Sequence, residues 1–353
     1  MFKKIIKRAL RPVSKRIGYR TDVKVQQGME QVRTALSGQI SNGLASLQAA
    51  SRQEIADLQR QIDNLRVDLY FSHLAAGREF TPTKVVELKF PNSSIEMHLS
   101  GPAEDRSIIG TISYQDGYYE PHLVVALSRW ISSSSTCLDI GANLGAISLQ
   151  LSKIASNGHV YSFEPASTTF KYLTQNITAN NIKNITAYKM GVSDKTQDLI
   201  LNYINDLSGC SFVLGGAIAA PADEASTAKR EPIHCIAIDD WVAQNNLPKI
   251  DFIKLDTEGM ELAALRGAEN LLRRDRPDLA IEFHPHTNDG FGHGSSKELF
   301  AMLTRYWDEI YAIPRNQIDE PISIKDFDQL MALVSAGPGW EDLFCTTHAR
   351  RQG

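Results

Sequence analysis

The run Cys137-Leu138-Asp139-Ile140-Gly141-Ala142-Asn143-Leu144-Gly145-Ala146 carries the densest chemical signal in the chain. A strand-like apolar stretch ends in an acid, then turns through two glycines into a helix, and such a turn is built to hold a nucleotide-like ligand. Glycine lets the backbone approach a ligand where a Cβ would clash, and the helix N-terminus behind it presents unpaired N–H groups. The spacing is Asp-x-Gly-x-Asn-x-Gly, not the Gly-x-Gly-x-x-Gly of a pyrophosphate site. An acid at that strand end repels a pyrophosphate, so the expected ligand is neutral or positive where it meets Asp139.

A second acid sharpens this. His159 to Phe163 reads as a strand leading into Glu164-Pro165, and Glu164 falls nineteen residues after Gly145. That is where a ribose-binding carboxylate belongs in a βαβ unit, ~20 residues on. A ligand with a ribose, no phosphate and a positive centre is S-adenosylmethionine.

Two further strand ends gather reactive groups. Asp251 to Leu255 runs into Asp256-Thr257-Glu258-Gly259, and Ile281-Glu282-Phe283 into His284. In open α/β sheets ligands sit at the carboxyl ends of the strands. A carboxylate or neutral imidazole there could take a proton from an attacking hydroxyl, which makes Asp256, Glu258, Glu282 and His284 the candidate catalytic groups. The same side chains are metal-ligand types, but no fixed ligand spacing supports a metal and none is expected. Lys254 lies within its strand and needs an acid partner if it points inward. Glu261 reads more as a helix cap, and His286 and His293 as loop residues.

Positioning these groups requires alternating strands and helices. Strands are expected at Thr136 to Ile140, His159 to Phe163, Ile185 to Lys189, Asp251 to Leu255 and Leu279 to Phe283. Helices are expected at Gly145 to Ile154, Thr168 to Asn180, Glu261 to Arg273 and Lys297 to Arg305, with another after Pro121. This rhythm demands a parallel sheet with crossover helices. Lys84 to Leu99 reads as a β-rich lead, and Gln197 to Ile238 as an inserted hairpin followed by a mobile Ala/Gly-rich loop, Gly215 to Ala228, able to cover a substrate.

The 353 residues, 42% hydrophobic and 22% charged, suffice for one or two globular domains. Eight Lys or Arg and no acid fall within residues 1–20, so the net charge of -4 hides an acidic body that excludes nucleic-acid binding by charge. In that basic tail Phe2, Ile5, Ile6, Leu10, Val13 and Ile17 fall at helical spacing broken by Pro12. It suits either an anionic membrane surface or solvent. From Val25 to Leu69 apolar residues step by threes and fours, cleanest at Ile55, Leu58, Ile62, Leu65 and Leu69. This is a heptad-like seam, expected to join copies of the chain as a coiled coil, with a single helix packed back on the body as the alternative. The domain reading is a basic amphipathic tail (1–20), a coiled-coil helix (21–76) and a working domain (84–353). Four separated cysteines without Cys-x-x-Cys, and no apolar run of membrane-spanning length, point to a reduced, cytoplasmic protein, peripheral to the membrane at most.

Asp116-Gly117-Tyr118-Tyr119-Glu120-Pro121, Leu138 through Gly145, Phe163-Glu164-Pro165, Ile238-Asp239-Asp240 and Asp251 through Glu261 with Arg266-Gly267-Ala268 together resemble the FkbM-type S-adenosylmethionine-dependent methyltransferases. The resemblance spans roughly Gly110 to Phe283. It implies an α/β, Rossmann-like class-I methyltransferase fold: a mostly parallel seven-stranded sheet with one antiparallel strand, for which Leu343 to Thr347 is the candidate. It also implies that Asp139, Gly141, Asn143 and Gly145, with Ala142 between them, line the methionine part. Glu164, beside Pro165, would bind the ribose, Ser193 and Asp194 would approach the adenine, and Glu120 would lie near the methyl donor. Thr257 stands where the family usually has an aliphatic residue, and residues 1–83 lie outside the family domain. The implied reaction is O-methylation of a sugar, glycan or other small molecule. A non-catalytic scaffold, a membrane-tethering adaptor and an NAD-dependent oxidoreductase are the alternatives.

Overall fold

The computed structural model describes residues 83–204, 206–215, 228–245, 247–315 and 320–347. The basic tail, the coiled-coil segment and most of the Gly215 to Ala228 loop lie outside the described residues.

The β-rich lead is a hairpin of β1 (Thr83–Lys89) and β2 (Glu96–Pro102). Beyond a π-helical turn at Arg106–Gly110, α1 (Pro121–Trp130) begins with proline, where the missing N–H leaves no intrahelical bond unmade. β3 (Thr136–Ile140), α2 (Ala146–Ile154), β4 (His159–Phe163), α3 (Ser167–Ala179) and β5 (Ile185–Tyr188) then alternate as read from the sequence. The expected inserted hairpin is instead part of a four-stranded sheet. It contains β6 (Gly191–Val192), β7 (Gln197–Ile204), β8 (Phe212–Val213) and β9 (Ala228–Ile236), in the order β6-β9-β7-β8. α4 (Ile238–Asn245) and β10 (Phe252–Leu255) follow.

The helix expected over Glu261 to Arg273 is two helices, α5 (Glu261–Arg266) and α6 (Glu269–Asp275). The break falls at Gly267, where a Cβ would stand 2.0 Å from the Ser193 carbonyl oxygen, so the chain turns there to pass another backbone closely. Next come β11 (Asp278–Phe283), α7 (Pro285–Gly290), α8 (Ser296–Tyr306), β12 (Glu309–Ala312), β13 (Ile322–Ile324), α9 (Phe327–Ala336) and β14 (Glu341–Thr346). His286 therefore sits on a short helix rather than in a loop, begun by Pro285 at its first position.

The main sheet has the order β13-β12-β14-β11-β10-β3-β4-β5. It has eight strands where seven were expected, because β13 adds an antiparallel edge to β12. β5, β4, β3, β10 and β11 run parallel, and β14, overlapping the candidate Leu343 to Thr347, is antiparallel to both β11 and β12. An antiparallel strand starts where its neighbours end. The first residues of β14 thus arrive at the same sheet edge as the carboxyl ends of the parallel strands.

Strand alternation decides which side chains meet. Leu138, Ile140, Ile253, Leu255, Leu279, Ile281 and Leu343 pack on one face with α4, α5, α6 and α8. Cys137, Phe252, Ala280 and Phe344 pack on the other, against Leu123, Val124 and Leu127 of α1. Burying such aliphatic side chains is worth roughly 1.5–3 kcal/mol each, which seats α1 firmly on that face. By the same parity Asp139, Lys254, Glu282 and Asp342 belong to the α1 face, one step further along their strands. The register sets Lys254 beside Asp139 and Glu282 beside Asp342.

Candidate functional site

At the carboxyl edge of the sheet lies a cavity of about 640 Å³, within the range of small-molecule sites. Its β4 side is built from backbone. Gly141 and Ala142 donate to the Phe163 carbonyl (3.0 and 2.9 Å), and Asn143 N–H donates to Glu164 Oε2 at 2.9 Å. Gly141, Asn143 and Gly145 have φ of 87°, 48° and 91°. A Cβ on Gly141 would lie 1.7 Å from the Asp256 carbonyl oxygen, so the turn closes only with glycine there.

Glu164 and Pro165 line the cavity. Glu164 Oε1 accepts from Ala166 N–H at 2.9 Å and from Thr169 Oγ1 at 2.6 Å. Burial raises its pKa against the lowering effect of these donors. With three of about four lone-pair positions used by the chain itself, Glu164 retains one, on Oε2, for a ligand rather than a free bidentate fork.

Of the residues expected to hold the donor, Gly141, Ala142 and Asn143 line the cavity, whereas Asp139, Gly145, Ser193 and Asp194 are not among its lining residues. Asp139 is fully buried, covered by Ser148 of α2. Its Oδ2 accepts from Ser148 Oγ at 2.5 Å, while Oδ1 has no partner. Gly145 is the hinge from turn to α2, its α-carbon backed by Leu173. Ser193 is held inward by its N–H bond to the Ile236 carbonyl (3.1 Å), and its hydroxyl donates to Asp194. Met190, Gly191, Val192, Ile233 and Cys235 form the wall in their place. This apolar wall, the close backbone turn and the remaining Glu164 acceptor fit a nucleoside.

The β11 side is charged. Glu120, Lys254, Asp256, Glu258 and Glu282 all line the cavity there. Lys254 donates to Asp256 Oδ2 at 2.8 Å. Burial alone would lower the Lys254 pKa, but Asp256, Asp139 and Glu120 more than offset it and hold the ammonium charged. Oxygens of Asp256, Glu258 and Glu282 lie within 4.8 Å of one another. Burial, then repulsion from Asp256 and Glu258, pushes Glu282 well above the usual carboxylate range. Glu120 caps α1 in a left-handed conformation (φ 45°), and burial followed by repulsion from Asp342 raises it to about 7. Glu261, expected to cap α5, instead stands at its first position and ties down the turn before it, accepting from Thr257 and Gly259 N–H and from Asn288 Nδ2.

His284 is not among the lining residues. Its ring stacks on that of Trp340 with centroids 5.5 Å apart, and burial lowers its pKa. Sequence reasoning missed the imidazole that does line the cavity, His122, whose Nε2 is 2.7 Å from Asp342 Oδ2. It also missed Arg315 and Trp340, which line the same wall, with the guanidinium 5.0 Å above the indole and 3.8 Å from Asp342. His122 directly follows Glu120-Pro121. Nothing in the sequence joins it to a carboxylate 220 residues away.

A family model described as "Methyltransferase FkbM domain" matches residues 139–317. Methyltransferase 1 of Beauveria bassiana is 25% identical over 149 residues, covering 38% of this chain and 59% of that protein. The hexuronic acid methyltransferase AglP of Haloferax volcanii is 28% identical over 184 residues, covering 51% of this chain and 70% of that protein. The crystal structure of methyltransferase FkbM from Methylobacillus flagellatus KT is similar at a TM-score of 0.37 and 20% identity, over 61% of this chain and 44% of that one. The chain thus spans less than two thirds of the length of the first of these relatives and of that crystallised protein. The match covers the glycine turn, Glu164 and both acidic strand ends, and the chain belongs to the FkbM methyltransferase family, whose methyl donor is S-adenosylmethionine.

Proposed function

We propose that the protein is an O-methyltransferase that moves the methyl group of S-adenosylmethionine to a hydroxyl of a sugar, glycan or similar small molecule. The observation that carries this reading is that one cavity joins the glycine turn and Glu164 to a wall of Glu120, Asp256, Glu258 and Glu282. Gly141, Ala142, Asn143 and Glu164 would hold the donor, with Met190 and Val192 against its base. The donor supplies an electrophilic methyl. Asp139 would act through Lys254, and Ser193 and Asp194 by fixing the Met190–Val192 wall. Carboxylates on the β11 side would accept hydrogen bonds from acceptor hydroxyls and orient one of them in line, and orientation supplies much of such a rate. The name of the archaeal relative, a hexuronic acid methyltransferase, supports a sugar acceptor.

The test is transfer of tritiated methyl from S-adenosylmethionine to three probes: methyl glucoside, methyl rhamnoside and methyl glucuronide. Label in at least one glycoside is expected. Binding of S-adenosylhomocysteine with no label in any would leave a donor-binding scaffold and overturn the reading. We further propose self-association through residues 25–69 and contact of residues 1–20 with the inner face of the membrane. Sedimentation of the full chain, alone and with phosphatidylglycerol vesicles, tests both. Among the described residues no helix is long and apolar enough to cross a membrane.

A further inference from the structure

We propose that His122, oriented by Asp342, is the base that takes the proton from the acceptor hydroxyl. The inference rests on the O-methyltransferase reading above. His122 is the second residue of α1, directly after Pro121, and is only 3% exposed, yet it lines the cavity. Asp342 is brought to it by the antiparallel course of β14, which puts the start of that strand beside Glu282 at the carboxyl edge of β11. The two side chains meet at 2.7 Å, Nε2 to Oδ2.

An ionised carboxylate can only accept, so Nε2 carries the hydrogen, and the lone pair of the neutral ring lies on Nδ1. This pairing fixes the tautomer and stabilises the imidazolium that forms when the ring gains a proton, the task of the carboxylate in a serine protease triad. Asp342 suits that task. Burial alone would raise its carboxyl, but His122 and then Arg315 and Lys254 outweigh burial and hold it below the usual carboxylate range.

Three rival bases are otherwise committed. Asp256 is tied to the Lys254 ammonium. Glu120 and Glu282 are pushed toward their neutral forms by burial and by neighbouring acids, which suits them to donate to the acceptor's other oxygens. The charges that bear on His122 are those of Glu120 on its own segment and of Asp342 and Glu341 on β14. Across the cavity stand Lys254 and Asp256 of β10, Glu282 of β11, and Arg315 beyond β12. Two cations among these acids keep the wall from repelling an ionising hydroxyl.

With donor and acceptor bound, the acceptor oxygen forms its bond to the methyl carbon as the carbon–sulfur bond breaks and its electron pair returns to sulfur. The hydroxyl proton passes to His122 Nδ1 and is lost to solvent after the product leaves.

The experiment uses the full chain and whichever of the three glycosides accepts label. His122→Gln keeps a donor toward Asp342 but has no basic nitrogen. It is expected to lower kcat by about 10²–10⁴-fold. KM and the calorimetric affinity for S-adenosylhomocysteine should stay within about twofold, and the ascending limb of the pH–rate profile should vanish. Asp342→Asn should also lower kcat, because an amide no longer holds the ring as the Nε2–H tautomer. Glu120→Gln should retain the limb. The ¹⁵N spectrum of histidine-labelled wild-type protein should show His122 as the Nε2–H tautomer, a readout that needs no turnover and survives if a variant fails to fold. The proposal is overturned by an Nδ1–H tautomer, by a limb that persists in His122→Gln, or by one lost in Glu120→Gln instead. Wild-type protein that labels none of the glycosides removes the function and this inference together. Labelling with an unchanged His122→Gln profile removes the inference alone.

Discussion

The two sides of the cavity are made by different means. The β4 side relies mainly on backbone: Gly141, Ala142 and Asn143 from one turn and the stretch Met190 to Val192, with Glu164 one residue past the last β4 partner of β3. The β11 side relies on side chains that arrive from separate elements, Glu120 and His122 from the start of α1, Lys254 from β10, Asp256 just past it and Glu282 from β11, with Asp342 of β14 behind His122. A turn that grips through backbone has little freedom to change, since its shape is its function. A wall of charges can be altered one member at a time, and each change redistributes charge among the rest.

The largest effect should come from the turn. Gly141→Ala demands a left-handed alanine whose Cβ overlaps the Asp256 carbonyl oxygen, 1.7 Å away. Left-handed strain alone costs of order 1–3 kcal/mol, and the clash adds to it. Loss of S-adenosylhomocysteine binding by calorimetry, with a melting temperature lower by roughly 10 °C or more, is the expected result. A variant that binds normally would show that the turn is not closed as described. On the charged side, Lys254→Met strands Asp256 and Asp139 without their cation. Breaking a buried pair by removing one partner costs about 3–5 kcal/mol, and the 24% exposure of the Asp256 side chain puts this site at the low end. Chemical denaturation should register that loss. If the two sides are separable, donor affinity per folded molecule should change little.

The same contrast governs what the sequence discloses. Glycine spacing and an acid about twenty residues later are local patterns, so the β4 side was readable, as were five parallel strands to within a residue at their ends. The sequence did not show that Asp139 would be covered by Ser148 of α2 instead of lining the cavity, because that contact depends on how α2 packs back on β3. Nor did it show that Glu164 would spend most of its acceptor capacity on Asn143, Ala166 and Thr169. His284 looked like the available imidazole because it ends a strand, but its ring stacks on Trp340 and does not line the cavity. The true cavity histidine is paired with a residue near the other end of the domain. Such pairing follows from the antiparallel insertion of β14, a topological fact with no short-range signature. The break at Gly267 was missed for the same reason, since it answers the distant backbone of Ser193.

Glu164→Gln probes the turn more gently. An amide can still accept on one atom, but it offers Asn143 or Ala166 an NH₂ in place of an oxygen, so one charge-assisted bond, worth about 1.5–3 kcal/mol, is lost. Donor affinity should fall by roughly 10–100-fold in a titration with S-adenosylhomocysteine. An equal drop from a change on the β11 side, for instance Glu282→Gln, would argue against two independent halves.

The smallest effect concerns the resting charge of the acidic wall. Burial and neighbouring acids raise Glu120 and Glu341 to about 7, with Asp342 the largest repulsion on each. Their folded-state values lie above the unfolded carboxylate value of about 4.3. Each therefore favours the folded state fully below that value, and the contribution is lost as pH rises through about 7. The protein should melt at a lower temperature at pH 8 than at pH 5, against any separate loss from Asp342 on further acidification. Glu120→Gln removes a carboxylate that is costly to ionise and should narrow the pH 5 to pH 8 gap. Discounted for solvent screening in an open cavity, the gain at pH 8 is about 1 kcal/mol, or roughly 2–4 °C. A wider gap in the variant would mean that the ionised Glu120 is a net stabilising partner of Lys254 and Arg315. The acidic wall would then be a compensated network, as rigidly specified as the glycine turn opposite it.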